Sequence, residues 1–118
     1  MALKITVSTA GATCVLRCDG RITLGEGSVT LRDATREALR EGAKLLVLEL
    51  SGVNYMDSSG LGELVSAYTT ARNSGANLVL VGLTKRVMDL VQITKLFTVF
   101  PIFNSIEEAL ATDPGAKP

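Results

Sequence analysis

The run Leu45-Leu46-Val47-Leu48-Glu49-Leu50-Ser51-Gly52-Val53-Asn54-Tyr55-Met56-Asp57-Ser58-Ser59-Gly60-Leu61-Gly62 decides the fold. Leu45 to Leu50 is almost continuously apolar, which is how a strand covered on both faces reads. Residues 51–60 are rich in turn formers (Ser51, Gly52, Asn54, Asp57, Ser58, Ser59, Gly60), so a loop is expected there. Beyond it the period changes. Leu61, Leu64, Val65, Tyr68 and Ala71 have the spacing of one buried helical stripe, and Asn73-Ser74-Gly75 ends it.

The same alternation continues on either side. Leu78 to Val81 is another apolar strand, Gly82 turns the chain, and Thr84 can cap a helix with Val87, Leu90 and Val91 inward. A last strand is expected near Val99 to Phe103. Ser105 and Glu108 then form a capping box before a short helix carrying Ile106 and Leu110. Towards the N-terminus, Leu3, Ile5 and Val7 alternate with Lys4, Thr6 and Ser8, a half-buried strand, and Gly11 signals a turn. A second strand covers Thr13 to Cys18, Asp19-Gly20 reads as a hairpin turn, and a short third strand covers Arg21 to Leu24. Ser28 is the expected N-cap of a helix running towards Glu41, with Leu31, Ala34, Ala38 and Leu39 near one face and Gly42 as its stop.

This pattern predicts a single α/β domain. Its sheet is mixed, with an opening antiparallel hairpin followed by parallel βαβ units and about four helices. The helices cover one face well and leave part of the other open. The loops Gly25–Ser28, Ser51–Gly60 and Gly82–Thr84 then share the carboxyl edge of the sheet, where ligands and partners of open α/β sheets dock. From Thr112 the chain carries two prolines and a glycine and reads as a frayed tail.

Composition narrows the function. With 118 residues the chain can bury roughly two thirds of its surface, so no disulfide or metal staple is required. Twelve basic and twelve acidic side chains give no net charge, which argues against a phosphate-driven nucleic-acid binder. The chain has no His, so neither a Ser-His-Asp nor a Cys-His nucleophile can be built, and His-containing metal sites are excluded. Two Cys cannot make a Cys-only zinc site within one chain. In an extended strand Cys14 and Cys18 stand roughly 13 Å apart, beyond disulfide reach, and read as buried free thiols. No basic-then-apolar leader pattern opens the chain, and no apolar run approaches the roughly 20 residues of a membrane span. The expectation is a soluble cytoplasmic protein without catalytic residues, metal or cofactor. Gly60-Leu61-Gly62 lacks the third glycine of a dinucleotide fingerprint, and no Walker motif is present.

The candidate site is Asp57-Ser58-Ser59-Gly60 at the start of a helix. One oxygen-bearing side chain there is accounted for as a cap on the free first-turn amides. Gly60 and Gly62 are not, since each costs up to about 1 kcal/mol relative to Ala in a helix. Glycine at such a place keeps the surface low and lets something approach the backbone. A Ser–Lys pairing of Ser58 with Lys85 or Lys95 stays formally open. A phosphoryl group also fits, carrying roughly −1.5 to −2 charges. The helix N-terminus stabilises it and Asp57 opposes it, so the free fold tolerates it. Driven into a close-packed interface without a cation it is penalised by several kcal/mol. About 3 kcal/mol already weakens binding roughly a hundredfold. The string therefore reads either as a plain helix cap or as a binding switch.

The residues 45–62 quoted above closely resemble the STAS domain found in bacterial anti-sigma factor antagonists. The resemblance extends through Gly75-Ala76-Asn77-Leu78-Val79-Leu80-Val81, Thr94-Lys95-Leu96-Phe97 and Phe103-Asn104-Ser105-Ile106-Glu107-Glu108-Ala109-Leu110. It assigns residues 1–111 to a STAS domain, which leaves 112–118 as the disordered tail that their composition suggests. It implies a partner that is both an anti-sigma factor and a serine kinase of the GHKL ATPase type. Binding frees the sigma factor, phosphorylation of Ser58 ends the complex, and a PPM-type phosphatase restores the active form. The implied partner-binding residues are Asp57, Ser58, Ser59, Gly60, Leu61 and Gly62, with Glu26, Ser28 and Thr84 from the neighbouring loops. A weak homodimer is compatible with this picture; nucleic acid and membrane insertion are not part of it.

One departure stands out. Many antagonists carry a Gly-Glu-hydrophobic-Asp string after the early strands, and its aspartate helps kinase contact. Here Gly20-Arg21-Ile22-Thr23-Leu24-Gly25-Glu26-Gly27-Ser28 has no such aspartate, and Glu26 is the loose substitute. This keeps a second reading open, in which the domain is a non-catalytic scaffold subunit of a stressosome-type or lipid-transport assembly and Ser58 only caps its helix. Elsewhere, Lys85 and Arg86 read as a solvated helix end, Met88 as core or surface alike, and Phe97, Phe100 and Phe103 as core. Glu63 faces either the helix start or the partner.

Overall fold

The computed structural model describes residues 3–112. Strands β1 (Lys4–Ala10) and β2 (Thr13–Ile22) open the chain. They are followed by α1 (Glu26–Arg40), β3 (Leu45–Met56), α2 (Ser58–Asn73), β4 (Asn77–Val81) and α3 (Lys85–Ile93). A 3₁₀ turn (Leu96–Thr98), β5 (Ile102–Phe103) and α4 (Ile106–Thr112) complete it. Spatial order follows chain order, β1-β2-β3-β4-β5, with β1 antiparallel to β2 and the remaining pairs parallel. Because each parallel step goes the same way, right-handed crossovers deliver α1, α2 and α3 to one face. There Leu16, Leu46, Leu48, Leu78 and Leu80 of the sheet form the main core with Leu31, Leu64, Val87 and Val91 of the helices. Strand alternation sends Val47, Val79 and Val81 to the opposite face, under Ala109 and Ile106 of α4. Thr6, Ser8 and Arg17 stay exposed on that side, so the second face is covered only in part.

The expected stops hold: Gly42 and Gly75 follow α1 and α2 at positive φ. Thr84 accepts the Val87 N–H, and Ser105 accepts the Glu108 N–H while Glu108 reaches back to the Asn104 N–H. The expected tail, apart from Thr112 at the end of α4, lies outside the described residues.

Four local expectations are corrected. Asp19-Gly20 is not a hairpin turn, and Arg21 to Leu24 is not a separate strand. Instead β2 runs on to Ile22, and the register against β3 slips between Arg17 and Asp19 and again between Gly20 and Arg21. Gly20 takes φ 118° in this irregular stretch, and Gly52 opposite lacks a Cβ where the Asp19 carboxylate sits. Residues 51–56 are strand rather than loop, because the extended β2 gives them a partner as far as Ile22 and Met56. Ser28 does not cap α1. The helix starts at Glu26, and the inward-turned Ser28 hydroxyl donates to the Thr23 carbonyl at 2.8 Å. Finally, the strand expected over Val99 to Phe103 shrinks to Ile102–Phe103. Phe100 is core and stacks edge-on against Tyr68, and Phe103 is half-buried, whereas Phe97 is exposed.

The two glycines of the α2 start differ in kind. A Cβ on Gly60 would overlap the Ile22 carbonyl of β2, whereas one on Gly62 would meet nothing within 4 Å. Gly60→Ala is therefore expected to destabilise the fold by about 1–3 kcal/mol or more, by overpacking against rigid backbone. Gly62→Ala should be neutral or stabilising by up to about 1 kcal/mol. Urea unfolding of the two variants separates them.

Candidate functional site

Asp57 is the sole residue between β3 and α2. Its Oδ1 accepts the Gly60 N–H at 2.8 Å and caps α2. Its Oδ2 lies 3.5 Å from the Leu24 N–H, which links the loop after β2 to the helix start. Together with the seating of Gly60 on Ile22, this makes one surface of two chain segments that are 33 or more residues apart. The cap role therefore belongs to Asp57. Ser58, the first helical residue, is exposed, and its hydroxyl makes no hydrogen bond with the described residues.

The other expected partner-binding residues separate by orientation. Gly62, one turn on from Ser58, is exposed and leaves open space beside it. Glu26 begins α1 and is exposed, and Ser59 is half-buried. Gly60 and Leu61 are buried in the packing of α2, and Ser28 is held inside by Thr23. Thr84 is half-buried and set back along β3, its hydroxyl donating to the Val53 carbonyl at 3.1 Å. Thus the first two expected loops meet at Asp57, while the third stands behind them.

Several surface groups were not legible as site residues. Leu24 is 78% exposed beside Asp57, and Ile93 is 79% exposed on α3. Lys85, Arg86, Asp89, Leu90 and Ile93 of α3 line a groove with Met56, the residue before Asp57. Arg86 lies 5.0 Å above the ring of exposed Tyr55. A large apolar residue between Thr23 and Gly25 was the available signal for Leu24; nothing local marked the groove. Lys85 pairs with Asp89 at 3.0 Å, and no hydrogen bond joins it to Ser58.

Glu63 proves to serve neither the helix start nor an outer surface. It is buried between α1 and α2, with Arg32 reaching both carboxylate oxygens at 2.9 and 3.5 Å. This pair ties the two helices together behind the site. Both cysteines are free and buried. Burial above all, then Asp19 and Glu49, pushes the Cys18 thiol up to about 12, and burial also raises Cys14. Neither is a nucleophile near neutral pH. Among the described residues no acidic, Cys or His group has the clustering that holds a metal, and no helix is long and apolar enough to cross a membrane.

The sheet thus presents an exposed, unbonded serine at a helix start that Asp57 caps, with exposed Leu24 nearby. The chain belongs to the STAS domain family, which it matches over residues 4–109. It is 41% identical over 66 residues to an anti-sigma-B factor antagonist of Listeria monocytogenes. That alignment covers 56% of this chain and 57% of the relative, so the chain spans little more than half the length of that protein. An anti-sigma factor antagonist structure from Mycobacterium paratuberculosis superposes with a TM-score of 0.81 at 21% identity, covering 92% of each chain. SpoIIAA of Bacillus, solved in its phosphorylated form, superposes with a TM-score of 0.71 at 18% identity, covering 92% of this chain and 97% of its own. These structures share the fold.

The cysteine environment gives a pH test. The ordinary thiol value is 9.0 and folded Cys18 stands near 12, so between them the folded chain holds more protons than the unfolded one. Stability from this group is constant below pH 9 and falls as pH rises through that window, by up to roughly 1.4 kcal/mol per pH unit. Urea midpoints of wild type and Cys18→Val should run parallel below pH 9, and above it the wild-type midpoint should fall relative to that of the variant.

Proposed function

We propose that this chain is an anti-sigma factor antagonist whose residues 1–111 form the working unit, acting in the cytoplasm and carrying out no catalysis itself. It binds an anti-sigma factor that is also a GHKL-type serine kinase and thereby frees the sigma factor. The kinase phosphorylates Ser58, the complex falls apart, and a PPM-type phosphatase reverses the modification. The observation that carries this reading is the Ser58 hydroxyl, exposed and unbonded while Asp57 does the capping. A serine needed for the helix start could not be modified without cost to the fold; this one can.

The geometry also supplies the switch. A phosphoryl group on Ser58 stands at the positive end of the α2 dipole and against the Asp57 carboxylate. Among the described residues no cation pairs with Asp57, so in an interface the dianion would be desolvated without compensation. Exposed Leu24, hydrogen-bonded to Asp57, and the groove that begins at Met56 offer apolar contact area to a partner. The naming of the Listeria relative as an anti-sigma-B factor antagonist, and the existence of a phosphorylated form of SpoIIAA, support the reading. The scaffold alternative, kept open by the missing loop aspartate, expects Ser58 to cap its helix, a role that Asp57 holds.

The test is a pull-down from native cell extract with wild type, Ser58→Ala and Ser58→Asp as baits. Wild type and Ser58→Ala should capture a GHKL-type kinase, and Ser58→Asp should retain the wild-type unfolding midpoint yet bind about a hundredfold more weakly. Capture of one non-kinase partner equally by all three would establish the scaffold reading instead.

A further inference from the structure

One lateral border of the sheet, two strands away from β3 and Ser58, is an open edge. β1 is an edge strand of seven residues, Lys4–Ala10, paired on its inner side with β2 in unbroken register. Native edges are blunted by proline, a bulge or charges along their length. β1 has no proline and no bulge, and its one charge, Lys4, lies at the end. Val7 at its centre is 56% exposed.

A hollow opens beside this strand, between it and α1. Val7, Cys14, Ala34 and Ala38 give it an apolar lining, and Glu37 and Glu41 stand on its rim. Val7 pairs with Leu16 and Thr9 with Cys14, so both point to the face on which α1 lies. A strand laid along the outer edge of β1 would turn every second side chain onto that same face, over the hollow. The rim is acidic. Glu37 and Glu41 are one turn apart on α1, and the Glu41 carboxyl holds its proton more tightly than usual because it hydrogen-bonds to Glu37 and is repelled by it. Arg40 pairs with Glu37. A second copy of the chain fits this edge poorly. Antiparallel pairing about Val7 would turn two acidic α1 rims toward one seam, and Lys4 would point to the other face.

We propose that β1 accepts an extended segment of a partner protein as a sixth strand, with an aliphatic side chain in the hollow beside Val7 and a Lys or Arg two residues along it meeting Glu37 and Glu41. Backbone hydrogen bonds supply the affinity, and the hollow and its rim supply the selectivity. The hollow lies by Thr9, Gly11 and Cys14, at the end of β2 away from the Ile22 end on which α2 and Ser58 are seated, so a partner can hold it whatever the state of Ser58.

A random peptide library displayed on phage and selected against the full chain tests this. The enriched peptides should carry a Val, Ile or Leu and, two residues away on the same strand face, a Lys or Arg. The best of them, synthesised and titrated into isotope-labelled protein, should slow hydrogen exchange at alternate amides of Lys4–Ala10, shift the α1 resonances of Ala34 to Glu41, and leave Ser58 to Gly62 unmoved. Glu41→Lys should weaken the peptide at least about tenfold by charge reversal. Val7→Lys, at an exposed position, should do the same, and both variants should keep the wild-type spectrum elsewhere. The proposal is overturned by a library that yields no binder, by equal affinity for both variants, by protection on another element, or by β1 amides already protected in a self-associated chain.

Discussion

Both helix starts that build the site are pressed onto the last residues of β2, and the rest of the arrangement follows from that contact. A Cβ on Gly27 of α1 would come within 2.8 Å of the Arg21 carbonyl, and one on Gly60 of α2 would overlap that of Ile22. Glycine at both points lets two helices share one strand end. The proximity puts the Leu24 N–H within reach of the Asp57 carboxylate and lets a single aspartate serve the loop and the helix cap together. Behind them the Arg32–Glu63 pair spans the same two helices from the other side of the contact. Ser58 thus stands on a surface fixed at three points and has no part in fixing it.

The same contact explains why much of the fold was legible and why some of it was not. Elements set by local chemistry read correctly. Leu45 to Leu50 and Leu78 to Val81 are buried strands, Gly42 and Gly75 end helices, and Thr84 and Ser105 begin them. Errors fell where a distant partner overrides a local signal. Asp19-Gly20 has the composition of a turn, yet β3 pairs with it between two register slips and makes it an irregular stretch of strand. Ser51 and Gly52 likewise look like loop and are strand, because Gly52 leaves room for Asp19. Ser28 has every local property of a cap, but the neighbouring Thr23 carbonyl claims its hydroxyl. Of the site itself, the Asp57–Gly62 string was readable and its division of labour was not.

That division is a matter of helical geometry. Asp57 turns back to the amides, Ser58 outward, Gly60 onto β2, Leu61 into the core, Gly62 outward again, and Glu63 toward Arg32. Six nearly consecutive residues face five different environments because each step rotates about 100° around the helix axis. A string with so many separate demands tolerates few substitutions for structural reasons alone. Its composition is therefore weak support for a function when read by itself. The orientation of Ser58 is stronger, because it is the position that the fold leaves without a task.

This separation of tasks bears on how a modification at Ser58 can act. If Ser58 were the cap, adding a charge would perturb the α2 start, and the fold would change along with the binding surface. With Asp57 holding the cap and Gly60 seated on Ile22, the added charge meets an anchored helix end. The dipole favours it by roughly the amount that a neighbouring carboxylate disfavours it at an exposed site, each effect being on the order of 1 kcal/mol or less. The free domain therefore has little reason to change shape. The penalty arises only when a partner strips water from the dianion, where the same charge costs several kcal/mol. A switch of this kind needs no conformational transition in the domain, because the second state is defined by what the surface can dock.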